Sequence, residues 1–156
     1  MKMIDISEFI VIIPARGGSK RIKNKNLKAL DGKHLIEYTI EYALINFRRE
    51  NIWLNSDSEK ILQVGRNLGI NLYKRKQELA TDITLTSNVI YDQVINLMED
   101  EKFKYIVILQ PTSPFRPKNL IKVAINKIHS KNLDSLFSVS SLGKKIWRNI
   151  NDESYL

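Results

Sequence analysis

Phe9-Ile10-Val11-Ile12-Ile13-Pro14-Ala15-Arg16-Gly17-Gly18-Ser19-Lys20-Arg21-Ile22-Lys23-Asn24-Lys25-Asn26-Leu27 is the stretch on which the reading of this chain turns. It opens with a short apolar run fit for a strand buried on both faces. Pro14 breaks the run, and a loop of small and basic residues follows. Between Phe9 and Leu30 there is no acid, while Arg16, Lys20, Arg21, Lys23, Lys25 and Lys28 are all cationic. Glycines beside cations point to a loop whose backbone N–H groups and side chains close on phosphate. The plain alternative is a solvated basic turn.

Downstream, strands and helices alternate. Asp31-Gly32 is a turn signal, and Ile36, Ile40, Ala43, Leu44 and Phe47 recur at helical spacing. Ile52-Trp53-Leu54 reads as a second buried strand ending at Asn55-Ser56-Asp57-Ser58. Ser58 is placed to cap a helix through Asn67, with Ile61, Leu62 and Leu68 inward and Leu68-Gly69-Ile70 as its stop. Ile70-Asn71-Leu72-Tyr73 predicts a third strand and residues 74–82 a polar loop. Ser87 or Thr86 then caps a helix carrying Val89, Ile90, Val94, Leu97 and Met98. Residues 105–109 form an apolar strand that breaks at Gln110-Pro111-Thr112-Ser113-Pro114. Pro117 is expected early in a helix carrying Leu120, Ala124 and Ile128, and Leu136-Phe137-Ser138-Val139 as a fifth strand. Residues 144–156 show no clear element.

This alternation predicts an α/β fold in a single domain over residues 1–156, with a mostly parallel sheet covered by helices on both faces. Right-handed crossovers put the C-terminal ends of all strands on one edge, where ligands bind in such sheets. The polar clusters at residues 16–25, 55–57 and 110–116 all follow predicted strands, so one crevice can collect them.

The bulk numbers agree with one soluble domain. A chain of 156 residues buries roughly 68–70% of its unfolded surface. The absence of cysteine excludes disulfides, thiolate metal sites and cysteine nucleophiles. His34 and His129 are the only histidines, too few for a multi-histidine metal centre, and neither has partners at triad spacing. The apolar run at residues 9–13 is too short for a signal core, and no run reaches membrane-spanning length, so the cytoplasm is the expected compartment. A net charge of +8 favours anionic partners without choosing among nucleic acid, lipid and phosphorylated small molecules. Aromatic–basic interleaving of the kind that stacks bases is lacking, which disfavours nucleic acid.

Two common phosphate motifs fail. Gly17-Gly18-Ser19-Lys20 lacks the four-residue gap of the P-loop, and no G-x-G-x-x-G follows the first strand. A different family fits. Residues 13–20, followed by Asn24-Lys25-Asn26, closely resemble the opening motif of the acylneuraminate cytidylyltransferases, or CMP-sialic acid synthetases. Three further blocks resemble that family in the same order: Asn55-Ser56-Asp57-Ser58, then Arg75 with Glu78-Leu79-Ala80-Thr81-Asp82, then residues 109–116. Each block alone is only moderately specific. Four in order are a strong signal, spanning residues 12–116 with weaker similarity to about Val139.

The resemblance implies a Rossmann-like nucleotidyltransferase fold and transfer of CMP from CTP to a nine-carbon keto-acid sugar, with Mg²⁺ and release of pyrophosphate. It places Ala15, Arg16, Gly17, Ser19, Lys20, Lys25, Asn26, Arg75, Thr84 and Thr86 at the nucleotide, with Arg16 and Lys25 catalytic. Arg16, Lys25 and Asn26 would hold the triphosphate and steady charge as pyrophosphate leaves; Arg75 would lie near the cytosine. Thr81 is grouped with Thr84 and Thr86, whose loop and helix-cap roles are an equally good reading. Gln110, Thr112 and Ser113 would face the sugar, beside Arg116 in a loop stiffened by Pro111 and Pro114. Asp57 is the one carboxylate named for the metal, although starting a helix is its stronger reading.

The chain also departs from the family. Lys76 follows Arg75 where proline is usual, and Asn55-Ser56 replaces the commoner Ser-Thr. Family members continue past the equivalent of Leu156 into a part that binds metal through an Asp-x-Asp pair and forms the homodimer. No Asp-x-Asp follows Gln110 here: Asp134 is alone and Asp152-Glu153 sits in the tail. The expectation is a fold incomplete at its C-terminus, lacking the principal metal ligands and the dimer segment, with impaired turnover and an exposed patch around Trp147. The alternative is a non-catalytic CTP-binding remnant or regulatory module. Within nucleotidyltransferases, Arg21-Ile22-Lys23-Asn24 differs from the Arg-Leu-Pro usual in synthetases for the eight-carbon sugar acid of lipopolysaccharide.

Overall fold

The apolar run after Glu8 becomes the inner strand β1 (Phe9–Pro14) of a four-stranded parallel sheet. The computed structural model describes residues 5–97 and 103–139. Phe9 through Ile13 are at most 1% exposed. A parallel strand covered on both faces needs such an unbroken run, and each aliphatic side chain buried this fully contributes about 1.5–3 kcal/mol. The turn Asp31-Gly32, with φ of 48° and 80°, closes the small antiparallel hairpin β2 (Ala29–Leu30) and β3 (Lys33–His34). Two left-handed residues in succession suit a two-residue hairpin, and glycine takes the second without strain. Helix α1 (Leu35–Asn46) follows and buries Ile36, Thr39, Ile40 and Ala43 as one stripe.

Strand β4 (Ile52–Ser56) pairs with β1, setting Trp53 beside Ile12 and Leu54 beside Ile13. Helix α2 (Glu59–Asn67) leads to β5 (Asn71–Lys74), and α3 (Thr86–Leu97) leads to β6 (Tyr105–Ile108). The strand order is β5-β4-β1-β6. The chain thus steps one way from β1 to β5, then returns past β1, which makes the gap beyond β1 and β6 a switch point.

Right-handed crossovers put α1 and α2 on one face and α3 on the other. Phe47, at the end of α1, meets Phe9 with ring centroids 6.2 Å apart, and Gly65 of α2 sits against Leu54 and Leu72. On the opposite face Ile90 joins Ile10 and Ile12, with Trp53, Val94, Leu97 and Phe103 packed around them. Alternate residues of β1 therefore serve opposite helix layers. The sheet is α/β and Rossmann-like, as expected.

The chain divides into two compact units, residues 1–121 and 122–156. The sheet and everything around its C-terminal edge belong to the first. In the second, α4 (Leu120–Lys131, which begins just before the division) ends at left-handed Asn132, and the Leu133 N–H reaches back to the Ile128 carbonyl at 3.0 Å. This is the asparagine form of a helix stop. No helix of the described residues is long and apolar enough to cross a membrane.

Several local expectations shift. Ser58 is the N-cap of α2, but through its carbonyl, which accepts from Ile61 and Leu62; its side chain makes no capping bond. Thr86 and Ser87 both lie inside the first turn of α3, because the Leu85 carbonyl already accepts from Asn88 and Val89. Pro117 precedes α4, its carbonyl taking the Leu120 N–H at 3.1 Å. Leu136-Phe137-Ser138-Val139 is not a strand: no described strand pairs with it, and Phe137 and Val139 are 81% and 91% exposed. Apolar content without an edge to pair with does not make a strand. Met98, Trp147, Asp152 and Glu153 lie outside the described residues.

Candidate functional site

The sheet continues past its strands into the loops that build the site. Backbone bonds from Ala15 N–H to the Asn55 carbonyl (2.9 Å), Arg75 N–H to Ser56 (2.9 Å) and Leu109 N–H to Ile12 (3.1 Å) fix where each loop begins. These loops surround one cleft at the strand C-terminal edge. It is lined by Arg16, Ser19, Lys25, Asn26, Arg75, Thr81, Asp82, Thr84, Thr86, Gln110 and Thr112, together with Pro14, Leu79, Val89 and Pro111. All three polar clusters marked in the sequence flank this edge.

The basic loop is pinned at both ends. Ala15 is buried, and the Gly17 N–H donates to Asp57 Oδ1 at 2.9 Å. A Cβ on Gly17 would stand 2.8 Å from Ser58 Cβ, so the glycine permits close contact with the start of α2. At the return, left-handed Asn24 leads into a 3-10 turn over Lys25–Leu27. Asn26 is buried there and donates through Nδ2 to the Arg16 carbonyl at 3.0 Å. Lys25 and Asn26, nine and ten positions from Arg16 in sequence, are thereby brought back beside it.

The opposite wall is a buried polar relay. Arg75, only 6% exposed, donates from Nε to Asn55 Oδ1 at 2.7 Å and from Nη2 to the Asn55 carbonyl at 3.2 Å. Asn55 Nδ2 in turn donates to Gln93 Oε1 at 2.8 Å. Gln93 is fully buried, and its Nε2 finds no hydrogen-bond partner among the described residues. Burial pulls the Arg75 pKa downward; Asp57 counters this and Arg16 adds to it. An arginine still keeps its charge. Thr81 and Thr84 share a hydroxyl hydrogen bond of 2.6 Å.

Asp82 bridges towards the basic loop. Its Oδ1 lies 2.5 Å from Arg16 Nη2 and its Oδ2 lies 2.6 Å from Lys20 Nζ. These bonds, first Lys20 and then Arg16, hold the Asp82 carboxyl below the ordinary aspartate value.

The third wall follows β6. Gln110 and Thr112 face the cleft, whereas Ser113 folds back, its N–H on the Gln110 carbonyl at 3.2 Å. Arg116 also serves the loop itself, donating to that carbonyl at 2.5 Å and to Thr39 Oγ1 at 3.1 Å, with its guanidinium 5.5 Å from the Tyr42 ring centroid. Burial lowers the Arg116 pKa. Of the sequence-named residues, Ala15, Gly17, Lys20, Asp57 and Ser113 support the cleft from outside its lining.

The described carboxylates do not make a magnesium site by themselves. Among the described residues no group of three or more Asp, Glu or His side chains could hold a metal ion. Asp57 Oδ1 is engaged by the Gly17 N–H, and Asp82 by two cations.

The cytidylyltransferase family profile matches residues 10–152. The chain belongs to the cytidylyltransferase family. An N-acylneuraminate cytidylyltransferase of Streptococcus agalactiae is 34% identical over 150 residues, covering 94% of this chain and 36% of that protein. A CMP-N,N'-diacetyllegionaminic acid synthase of Legionella pneumophila is 37% identical over 138 residues, covering 87% and 59%. A pseudaminic acid cytidylyltransferase of Campylobacter jejuni is 32% identical over 153 residues, covering 94% and 66%. This cytidylyltransferase-family chain thus spans from about a third to two thirds of these relatives' lengths. A CMP:2-keto-3-deoxy-manno-octonic acid synthetase solved with CTP shares the fold, with a TM-score of 0.67 at 20% identity over 81% of this chain and 49% of that one.

Asp82, Asn55 and Gln93 are the site residues to which sequence reasoning gave no role. Gln93 carried a signal: it falls on the same stripe as Val89, Ile90, Val94 and Leu97. An amide at a core-facing position demands a polar partner.

Proposed function

We propose that the chain is a CTP-dependent cytidylyltransferase acting on a sialic-acid-like keto-acid sugar and releasing pyrophosphate. The observation that carries this reading is the convergence of Arg16, Lys25 and Asn26 with Arg75 and Gln110 around one cleft. The sugar's anomeric hydroxyl oxygen bonds to the α-phosphorus of CTP and gives up its proton to solvent, and the bond from that phosphorus to the bridging oxygen breaks as pyrophosphate leaves. Arg16 offers a planar donor pair to phosphate oxygens, and Lys25 adds a point charge where pyrophosphate departs. Ser19 and Asn26 complete the loop's grip. Arg75, fixed by Asn55, presents its charge to the O2 and N3 acceptors of cytosine, while Gln110 and Thr112 meet the sugar. Such a reaction needs positioned groups and charge neutralisation, with no covalent enzyme intermediate. No step here is assigned to Mg²⁺, since the described carboxylates do not make its site.

Saturable CTP binding in a thermal-shift titration, strongly weakened in Arg16→Ala, tests the binding half of the reading. Pyrophosphate release with CTP, Mg²⁺ and a panel of keto-acid sugars tests turnover. The relatives' names cover acylneuraminic, legionaminic and pseudaminic acids at 32–37% identity, so the panel has to include all three. A second reading, a CTP-binding module without turnover, draws support from the lack of a carboxylate cluster among the described residues. It expects CTP binding and no pyrophosphate with any sugar.

A further inference from the structure

Among the described residues lining the cleft, Asp82 is the only carboxylate, and it lies where the proposed reaction requires phosphate. Its two oxygens contact Arg16 at 2.5 Å and Lys20 at 2.6 Å, one cation to each oxygen. That is the pattern in which a phosphate group engages two basic side chains. The contact joins residues 66 and 62 positions apart, so neither local backbone geometry nor helix spacing explains it (82 − 16 and 82 − 20).

We propose that Asp82 is a built-in competitor for the polyphosphate, an affinity-setting residue that holds Arg16 and Lys20 until phosphate oxygens replace it. This rests on the cytidylyltransferase reading of the cleft. A phosphate engaging Arg16 beside an Asp82 that stayed in place would meet a like charge within a few ångströms, so the two anions exclude one another. The exchange is feasible because the pair is only partly buried: the Arg16 and Asp82 side chains are 30% and 32% exposed, and Lys20 is 80% exposed. Exposed ion pairs are weak, so the competitor yields to a ligand carrying several anionic groups. It still lowers the affinity for every anion that needs those cations. A ligand with additional contacts, such as a base against Arg75, has affinity in reserve to bind despite that loss.

The opposite role, a strut that keeps Arg16 in position for the ligand, predicts the opposite sign. Calorimetric titrations of the full chain with sodium tripolyphosphate and with CTP, without metal and at fixed ionic strength, separate the two. Asp82→Asn and Asp82→Ala should each bind both ligands about fivefold more tightly than the unsubstituted chain. Glu41→Gln removes the same charge from the Lys33–Glu41 ion pair outside the cleft lining and should bind as the unsubstituted chain does. Equal or weaker binding by both folded Asp82 variants, or an equal gain in Glu41→Gln, overturns the proposal. If CTP binds but the Asp82 variants gain nothing, the competitor role falls and the nucleotide reading stands. If the variants gain for both ligands while CTP binds no better than tripolyphosphate, the competitor stands and the nucleoside reading falls. Binding of neither ligand by any variant overturns both.

Discussion

Two arginines line the same cleft and are held by opposite means. Arg75 is buried and bonded to the neutral oxygens of Asn55, which Gln93 orients from the core. Arg16 is about one-third exposed and bonded to the carboxylate of Asp82. A buried guanidinium cannot change partners without stranding its charge, so Arg75 is set by the fold itself. An exposed guanidinium on a counter-ion can exchange that ion for another. The first arrangement suits a contact that is preformed, and the second suits one made and broken in each cycle.

The comparison is broken most severely at Asn55. Asn55→Ala removes both the acceptor of Arg75 Nε and the donor to Gln93, and should cost about 2–3 kcal/mol of stability by the usual penalty for buried unpaired groups. Urea denaturation measures it; a loss below about 0.5 kcal/mol, the range of ordinary surface changes, would mean that the relay does not fix Arg75. Arg16→Ala should do the reverse. CTP affinity by calorimetry should fall about 30-fold, the worth of a hydrogen-bonded charge, while the unfolding free energy moves by less than about 0.5 kcal/mol. Equal effects of the two substitutions on stability would erase the distinction.

Gly17→Ala sharpens the contrast more gently. Its new Cβ would press on Ser58 Cβ at 2.8 Å, and overpacking of this kind costs about 1–2 kcal/mol. Urea denaturation should show that loss, together with weaker CTP binding as the loop shifts; unchanged values for both would show that the loop's start does not depend on Ser58.

The smallest effect is a titration. Lys20 and then Arg16 hold the Asp82 carboxyl below its ordinary 3.8, so the ion pair's contribution is complete above that value and is lost as pH falls through the lowered one. Carboxyl carbon NMR should give a midpoint below 3.8 for Asp82, rising in Lys20→Ala without reaching the ordinary value because Arg16 remains. A midpoint at the ordinary value in the unsubstituted chain would dissolve the pairing on which Arg16's side of the comparison depends.

How much of this was legible in the sequence follows from the range of the forces involved. The run at residues 9–13 specified an inner parallel strand because unbroken apolarity has few other soluble uses. Ile36, Ile40 and Ala43 recur at helical spacing, and Asp31-Gly32 announced its turn through local backbone preference alone. The motif blocks also gave the three walls of the cleft. The pairing of Arg16 and Lys20 with Asp82, and of Asn55 with Gln93, depends on segments brought together only by the sheet, so no nearby residue signals it. Leu136-Phe137-Ser138-Val139 misled for a related reason: a strand is defined by its neighbour, and the sequence of one segment does not contain the other.

The basic loop has a fixed heel and a free toe. Ala15 is tied to β4, Gly17 to Asp57 just before α2 and Asn26 to the Arg16 carbonyl, while residues 21–24 project into solvent. The toe is therefore an interchangeable cassette. Lengthening it or adding charge there should alter how fast anions are drawn to the cleft, with little cost to the strand that carries it. A scaffold arranged in this way lets substrate capture evolve on a different schedule from the core.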